Sequence, residues 1–422
     1  RLPAIIGSMK TLPSLTAALL IVASPLAYGE DWTRFRGPEG SGVAAASGSI
    51  PTELSKGNTR WEIDLKGGGH SSPVTFGDKL FYTVTPAKAP EHREVVCVQV
   101  SDGEELWRTR FGFNKYKMHQ FNSPSSTSPT ADAERVYVWW NDGKESEVFA
   151  LDHAGKEVWK KALGKFESSH GGGSSVALAD DVLIVQKENL SDDSFIVGLD
   201  SKTGKERWKK NLPAELKTPY TTPVIREIES SKEAIFVSTD NGFFSIDTKT
   251  GKDRWTFDCK FEHRVVASPV ISGNSILAYC GGGGGGKDSI VIDAAPGATE
   301  VTERYRLRRT LPYVPTGLGI KGRWFLVNDG GVGTCYDVAS GNQLWRERLV
   351  GKCFASLIAV GNHIYVFGRD GDYHIYEAAD TFKSIAKGEL GAGIHATPII
   401  AEGKLIVRTD EKLLCFQKGT DA

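Results

Sequence analysis

One short unit returns along this chain: a small residue, an Asp two places later, a Gly four places beyond and a Trp four beyond that. It is complete in Gly198, Asp200, Gly204 and Trp208, in Ser245, Asp247, Gly251 and Trp255, and in Cys335, Asp337, Gly341 and Trp345. Ala150, Asp152, Gly155 and Trp159 repeat it with a turn one residue shorter, and Cys97, Gln99, Gly103 and Trp107 put Gln in place of Asp. A unit recurring with a period of about 40–50 residues is one supersecondary element that cannot bury its apolar face alone, so the chain must stack many copies of it.

Each residue type has a task. Apolar runs of strand length precede the Asp, as in Val148-Phe149-Ala150-Leu151, and Asp opens a turn by bonding its own backbone while Gly takes the positive-φ position. The returning strand carries Trp with an apolar residue four later, as in Trp208 and Leu212, on one face. Upstream stand Ser72-Pro73, Ser128-Pro129, Thr222-Pro223, Ser268-Pro269 and Thr397-Pro398, which mark an edge strand, because Pro donates nothing to a ladder. A further strand follows each, so every repeat reads as a four-stranded antiparallel meander.

Radial repetition of such meanders gives an all-β β-propeller. Fourth strands around Trp61, Trp107, Trp159, Trp208, Trp255, Tyr305, Trp345 and Ala386 predict eight blades. The chain ends on a third strand near Leu413–Gln417, and Thr59–Leu65 is a Trp strand without its first three. The N-terminal strand is therefore expected to close the last blade. The expected organisation is an upstream and export segment over 1–29, a leader over 30–58 and the propeller over 59–422.

The Asp-x-x-x-Gly-x-x-x-Trp unit after a small residue resembles the pyrroloquinoline-quinone (PQQ) type repeat shared by quinoprotein alcohol dehydrogenases and BamB-type assembly propellers. Trp32-Thr33-Arg34-Phe35-Arg36-Gly37-Pro38-Glu39-Gly40 is similar to the leader of secreted bacterial PQQ-like propellers. The resemblance implies either a non-catalytic binding or scaffold module with a protein or glycan partner on its rim, or an oxidoreductase holding PQQ or a metal in its central funnel. Quinoprotein dehydrogenases add a Ca²⁺ site, a catalytic Asp and often adjacent cysteines; no two cysteines are adjacent here, the long insertions of that family are missing, and no catalytic residue maps across.

Lys and Arg (51) balance Asp and Glu (52), which gives no global field for nucleic acid. Met9-Lys10, an apolar Leu12–Leu26 and small residues at Ala27 and Gly29 read as an export signal, so a periplasmic or secreted monomer without a transmembrane span in its mature part is expected. Of six cysteines, Cys97, Cys335 and Cys415 fill the small-residue position and Cys259 an aliphatic one, in separate blades, which predicts free thiols. Gly317–Gly322 has dinucleotide-binding spacing but leads into a strand, and Gly281–Gly286 reads as a flexible loop.

Residues just before the Ser/Thr-Pro pairs are expected to ring the axis. His70 and His395 each stand three places before their Pro, and His119, His170, Tyr220, His263, Arg264 and Tyr313 occupy related places in other blades. These eight are the candidate cofactor-binding residues; Lys352-Cys353 is the blade 7 counterpart, and no metal is assigned. His92, His153, His363 and His374 are expected in outer loops or turns.

Overall fold

The computed structural model describes residues 31–45, 50–142, 144–229 and 231–419. The expected export segment lies outside them. Eight antiparallel sheets form an eight-bladed propeller, each with four core strands. Blade 3 is representative: Ala177–Ala179, Val182–Lys187, Ser194–Asp200 and Glu206–Leu212 run in order from the axis outward. Its second strand is buried along its whole length, as a strand sandwiched between neighbouring blades must be, whereas the fourth alternates exposed and covered positions. Closure follows the sequence reading: Thr59–Asp64 pairs antiparallel with Lys412–Phe416 as the fourth strand of blade 8, with Trp61 opposite Cys415.

The recurring unit is a docking device between blades. Gly198 lies directly across the ladder from Trp208, and a Cβ there would come within 2.2 Å of the indole, which is why the first position is small. The Trp208 ring then packs on Gly251 of the next blade, at φ +69°, where a Cβ would meet it at 2.6 Å. Its Nε1–H donates to the Thr248 carbonyl at 2.9 Å. Asp247 holds that turn by accepting the Thr250 amide at 2.9 Å. Trp61, Trp107, Trp159 and Trp345 donate in the same way to Val100, His153, Ser201 and Ala379. Trp107 and Trp159 are half-buried, the other repeat tryptophans buried. Two junctions depart from the pattern. Trp255 faces the irregular turn after Asp293 and its Nε1 finds no partner. At blade 7, where Ala386 replaces Trp, the N-terminal segment inserts Ile50 and Leu54 into the core shared with blade 8.

At the axis the Ser/Thr residues form a closed ring. The amide of Ser72 donates to the hydroxyl of Ser128, Ser128 to Ser175, Ser175 to Thr222, Thr222 to Ser268, Ser268 to Thr316, Thr316 to Ser356, Ser356 to Thr397, and Thr397 back to Ser72, all at 2.9–3.1 Å. The Ser/Thr-Pro pairs mark this inner strand as an edge. Pro does remove one donor, but the amide of the residue before it is satisfied by the next blade.

Beyond that ring the inner edges still carry free backbone groups, and residues 31–45 lie across them. The amides of Thr75, Ala131, Ile225 and Ala359 donate to the carbonyls of Trp32, Thr33, Glu39 and Gly42, and Val43–Ala44 adds a parallel strand to blade 7. Arg36 is fully buried; its guanidinium donates to the carbonyls of Leu357 at 2.9 Å, Gly317 at 2.7 Å, Ser41 at 2.8 Å, and Thr316 and Gly40 at 3.3 Å. Arg34 donates to Pro223. The N-terminal segment thus plugs one end of the channel with peptide dipoles and guanidinium groups in place of water.

All six cysteines are free thiols. Burial pushes Cys97, Cys335 and Cys415 up to about 12, which keeps them protonated. His374 corrects an expectation: it is buried within strand Asp372–Glu377, bridging the Leu349 carbonyl and the Ser384 hydroxyl, where a surface turn was expected.

Between blades 3 and 4, Glu188 and Glu215 are both 2 % exposed, and among the described residues neither pairs with a cation. The Ser238 hydroxyl contacts both carboxyl groups, and Asn241 Nδ2 bridges them at 3.2 and 2.7 Å. One hydroxyl proton cannot serve two carboxylates, so the pair must hold a proton of its own. Burial and the adjacent Glu188 charge accordingly push Glu215 far above the carboxylate range.

Two predictions follow from this architecture. Arg36→Ala leaves several buried carbonyls without a donor, at about 1–3 kcal/mol each. The urea midpoint should fall sharply, with Arg36→Lys restoring only part because an ammonium cannot fork to so many acceptors. An unchanged midpoint would show that the plug is dispensable. Glu215 has a folded pKa above its unfolded value near 4.3, so its contribution is complete in acid and declines as pH rises from about 5 toward the folded pKa. Glu215→Gln should flatten this decline and melt above the parent at pH 9; parallel Tm profiles for the two proteins would refute the shared proton.

Candidate functional site

The hydroxyl ring divides the channel. The inner-strand backbone groups that residues 32–42 bind lie at a ring position or one to three residues after it, and the opposite end is built from residues before it. Side chains two places apart on a strand share a face. The residues two before the ring, namely His70, Ser126, Gly173, Tyr220, Val266, Val314, Phe354 and His395, all line one funnel of about 720 Å³. Phe35 of the N-terminal segment also lines it, at the plugged end, so the funnel is blind.

The structure brings His70, His119, His170, Tyr220, His263, Arg264, Tyr313 and His395 to the lining of this one cavity. They sort into two groups. On the closure side, His70 of blade 1 and His395 of blade 8 stack with ring centroids 4.6 Å apart and planes 12° from parallel. His395 Nδ1 meets Asp410 Oδ1 at 2.9 Å. Burial, then the charges of His395 and Arg408, push the His70 imidazole down to about 4, so it is neutral at physiological pH. Burial opposes charge on Asp410, but the His395 hydrogen bond and the nearby cationic groups outweigh it and hold the carboxyl below its usual range.

Across the funnel, His119 and His170 form a second stack at 4.9 Å. His170 Nδ1 contacts the Ser169 hydroxyl at 2.8 Å and its Nε2 faces Arg264 Nη1 at 3.3 Å. Burial and the Arg264 charge push His170 to about 4. Arg264 is oriented by the Thr218 carbonyl at 3.0 Å and lies 5.8 Å over the Tyr220 ring. The Tyr220 hydroxyl pairs with Ser168 at 2.7 Å, and burial raises its pKa to about 12. Tyr313 sits where a Gly281 Cβ would be, 2.4 Å from the ring, so the glycine run expected to be a mere flexible loop is part of the wall. His263 approaches the same run, 3.4 Å from a Cβ built on Gly282.

Several wall residues escaped the sequence reading. In blade 7 Phe354, rather than Lys352-Cys353, faces the funnel, and Cys353 is buried behind it. Phe121, from the connection between blades 1 and 2, crosses the mouth to meet Phe354 edge-on at 5.5 Å. Arg369 lies 4.5 Å over Phe121 and 4.3 Å over Phe354. The register two before the ring identifies Phe354; nothing local in the sequence announces the reach of Phe121 or the arrival of Asp410. Among the described residues Asp329 is the single carboxylate lining the cavity, and its two oxygens accept the Tyr313 and Val314 amides at 2.7 and 3.2 Å.

Comparison with solved structures recovers this architecture at low sequence identity. BamB from Moraxella catarrhalis superposes with a TM-score of 0.61 at 14% identity, over 86% of this chain and 97% of that one. Quinohemoprotein alcohol dehydrogenase from Comamonas testosteroni gives 0.63 at 13%, over 93% and 81%. The computationally designed Ika8 protein gives 0.57 at 11%, over 86% and 100%. At these identities the likeness is one of fold. No curated protein matches the chain in sequence. The family described as outer membrane protein assembly factor BamB matches residues 46–146, 144–300 and 328–421, well over half of the sequence, and the chain belongs to that family.

Proposed function

We propose that this protein is an exported, monomeric binding module whose blind funnel takes a small anionic ligand with a flat body. The observation that carries the reading is the imbalance of the wall. Five histidines, Lys217 and Arg264 face the cavity with Tyr220, Tyr313 and three phenylalanines, against one carboxylate already used by two amides. Neutral imidazoles, phenols and a guanidinium offer donors to an anion, and the aromatic rings offer faces to a planar body. Export rests on residues 9–29, and no helix among the described residues is long and apolar enough to cross a membrane.

The quinoprotein alternative asks for a hard cation and a free base beside the quinone. A Ca²⁺ ion takes six to eight oxygen ligands, and among the described residues the lining supplies no carboxylate that is not already accepting amides. That donor set does not fit, and we derive no redox step from the funnel.

PQQ itself, a planar tricarboxylate, is a suitable probe in calorimetry with and without Ca²⁺. Binding independent of Ca²⁺, weakened about tenfold or more by Arg264→Ala, the equivalent of about 1.4 kcal/mol, and without alcohol-dependent dye reduction, is expected. Ca²⁺-dependent binding with dye reduction would establish the oxidoreductase instead. Binding unaffected by Arg264→Ala would remove the ligand from the funnel.

A further inference from the structure

We propose that His70, His395 and Asp410 form a binding site for one divalent transition-metal ion, of the zinc or copper kind, on the funnel wall where blade 8 meets blade 1. This goes beyond the anionic-ligand reading and does not depend on it. The donor atoms of the three side chains all lie within 4.8 Å of one another. Tetrahedral zinc, with bonds of about 2.0–2.2 Å, holds its ligand atoms about 3.4 Å apart. Closing the set therefore takes side-chain shifts of about an ångström, within reach of rings at the rim of an open cavity.

Three features make this more than a chance cluster. His70 and His395 occupy the same register in adjacent blades, two before the ring residues Ser72 and Thr397, so the scaffold that joins those blades also sets the distance between the imidazoles. The His70 ring has no hydrogen-bond partner among the described residues, only the stacking contact with His395. Asp410 already engages His395 Nδ1 at 2.9 Å. It either ligates directly or orients the ring so that Nε2 is the donor, as outer carboxylates do for metal-bound histidines.

The surroundings also select the ion. Arg408 is buried, tied to the Ser71 carbonyl and hydroxyl and to the Thr83 carbonyl. Together with Arg369 it places positive charge near the pair, which penalises any dication. Ions bound through imidazole tolerate this better than Ca²⁺ or Mg²⁺, which depend on oxygen ligands and net negative charge. The His119–His170 stack is the internal control. Its geometry is similar, but His170 Nε2 faces Arg264, Nδ1 contacts Ser169, and His119 Nδ1 accepts the Phe121 amide.

The test is titration of the chelator-stripped mature protein with Co²⁺ followed by visible spectroscopy, then displacement by Zn²⁺, with no organic ligand present. One ion per chain is expected, with the intense bands of a four-coordinate site. His70→Ala and His395→Ala should each abolish the bands, and Asp410→Asn should weaken binding about 10–100-fold. His119→Ala with His170→Ala should leave the spectrum unchanged, and near-ultraviolet circular dichroism should show all variants folded. Bands that survive loss of both His70 and His395, or that vanish only with His119 and His170, would overturn the assignment, as would no binding to the parent protein. Because Arg264 takes no part, those failures leave the anion-binding test untouched.

Discussion

The closed circle of amide-to-hydroxyl hydrogen bonds around the axis is the constraint on which the rest of this molecule hangs. A propeller brings eight inner strands together at an angle that sheet pairing cannot bridge, which would leave backbone donors stranded in a narrow channel. Leaving each buried donor unpaired costs about 1–3 kcal/mol. One hydroxyl per blade, aimed at the amide of the blade before it, solves this with a single side chain of fixed length. It also locks register, because a slip of one residue would turn every side chain of the inner strand to the opposite face. The closing bond, from Thr397 to Ser72, ties the two ends of the ring together at the axis while Trp61 ties them at the periphery.

From that fixed plane the two ends of the channel acquire different chemistry. One side is filled by the chain itself. Among the described residues Arg36 has no carboxylate partner, and its charge is dispersed over carbonyl oxygens. Burial pulls its pKa down to about 10, which still leaves the group charged at neutral pH. Its five directed bonds tie the segment to the inner strands of blades 6 and 7 and to itself. The other side stays open and inherits whatever the repeat puts two residues upstream, so eight wall positions are set by strand periodicity while their side chains are not dictated by the repeat unit.

The parts legible in the sequence were those enforced by the repeat. A small residue (Gly, Ala, Ser or Cys) opposite each Trp, an Asp or Gln at the turn and an unpaired Trp strand at Thr59–Asp64 each have one structural solution, and the blade count and closure followed. His70, His395 and Tyr220 were found because they share the inner-strand register. Phe121 was not, since it reaches the funnel from the connection between blades 1 and 2, and neither was Asp410, which meets His395 from the turn between strands Lys404–Arg408 and Lys412–Phe416. His374 was misplaced because its strand, Asp372–Glu377, carries polar residues at both ends and resembles a turn. The role of Arg34 and Arg36 was hidden for a different reason: two arginines in a polar stretch read as surface, and only the unmet carbonyls of distant inner strands explain their burial.

The same division explains why an assembly factor, an alcohol dehydrogenase and a designed protein can share this fold. Hydroxyl ring, tryptophan docking and closure strand consume the repeat residues and dictate the scaffold, but they are silent about the funnel. The funnel is lined by a separate set of side chains, two residues before the ring and in the loops above it, whose identity the repeat unit does not dictate. In this chain that set is rich in imidazole and poor in carboxylate. Among the described residues its one lining acid is spent on holding the Tyr313 and Val314 amides, and the carboxyl that engages His395, Asp410, is not part of the cavity lining. Hard-cation chemistry is therefore disfavoured by the wall, whereas donors for an anion and nitrogen ligands for a softer metal are supplied by it.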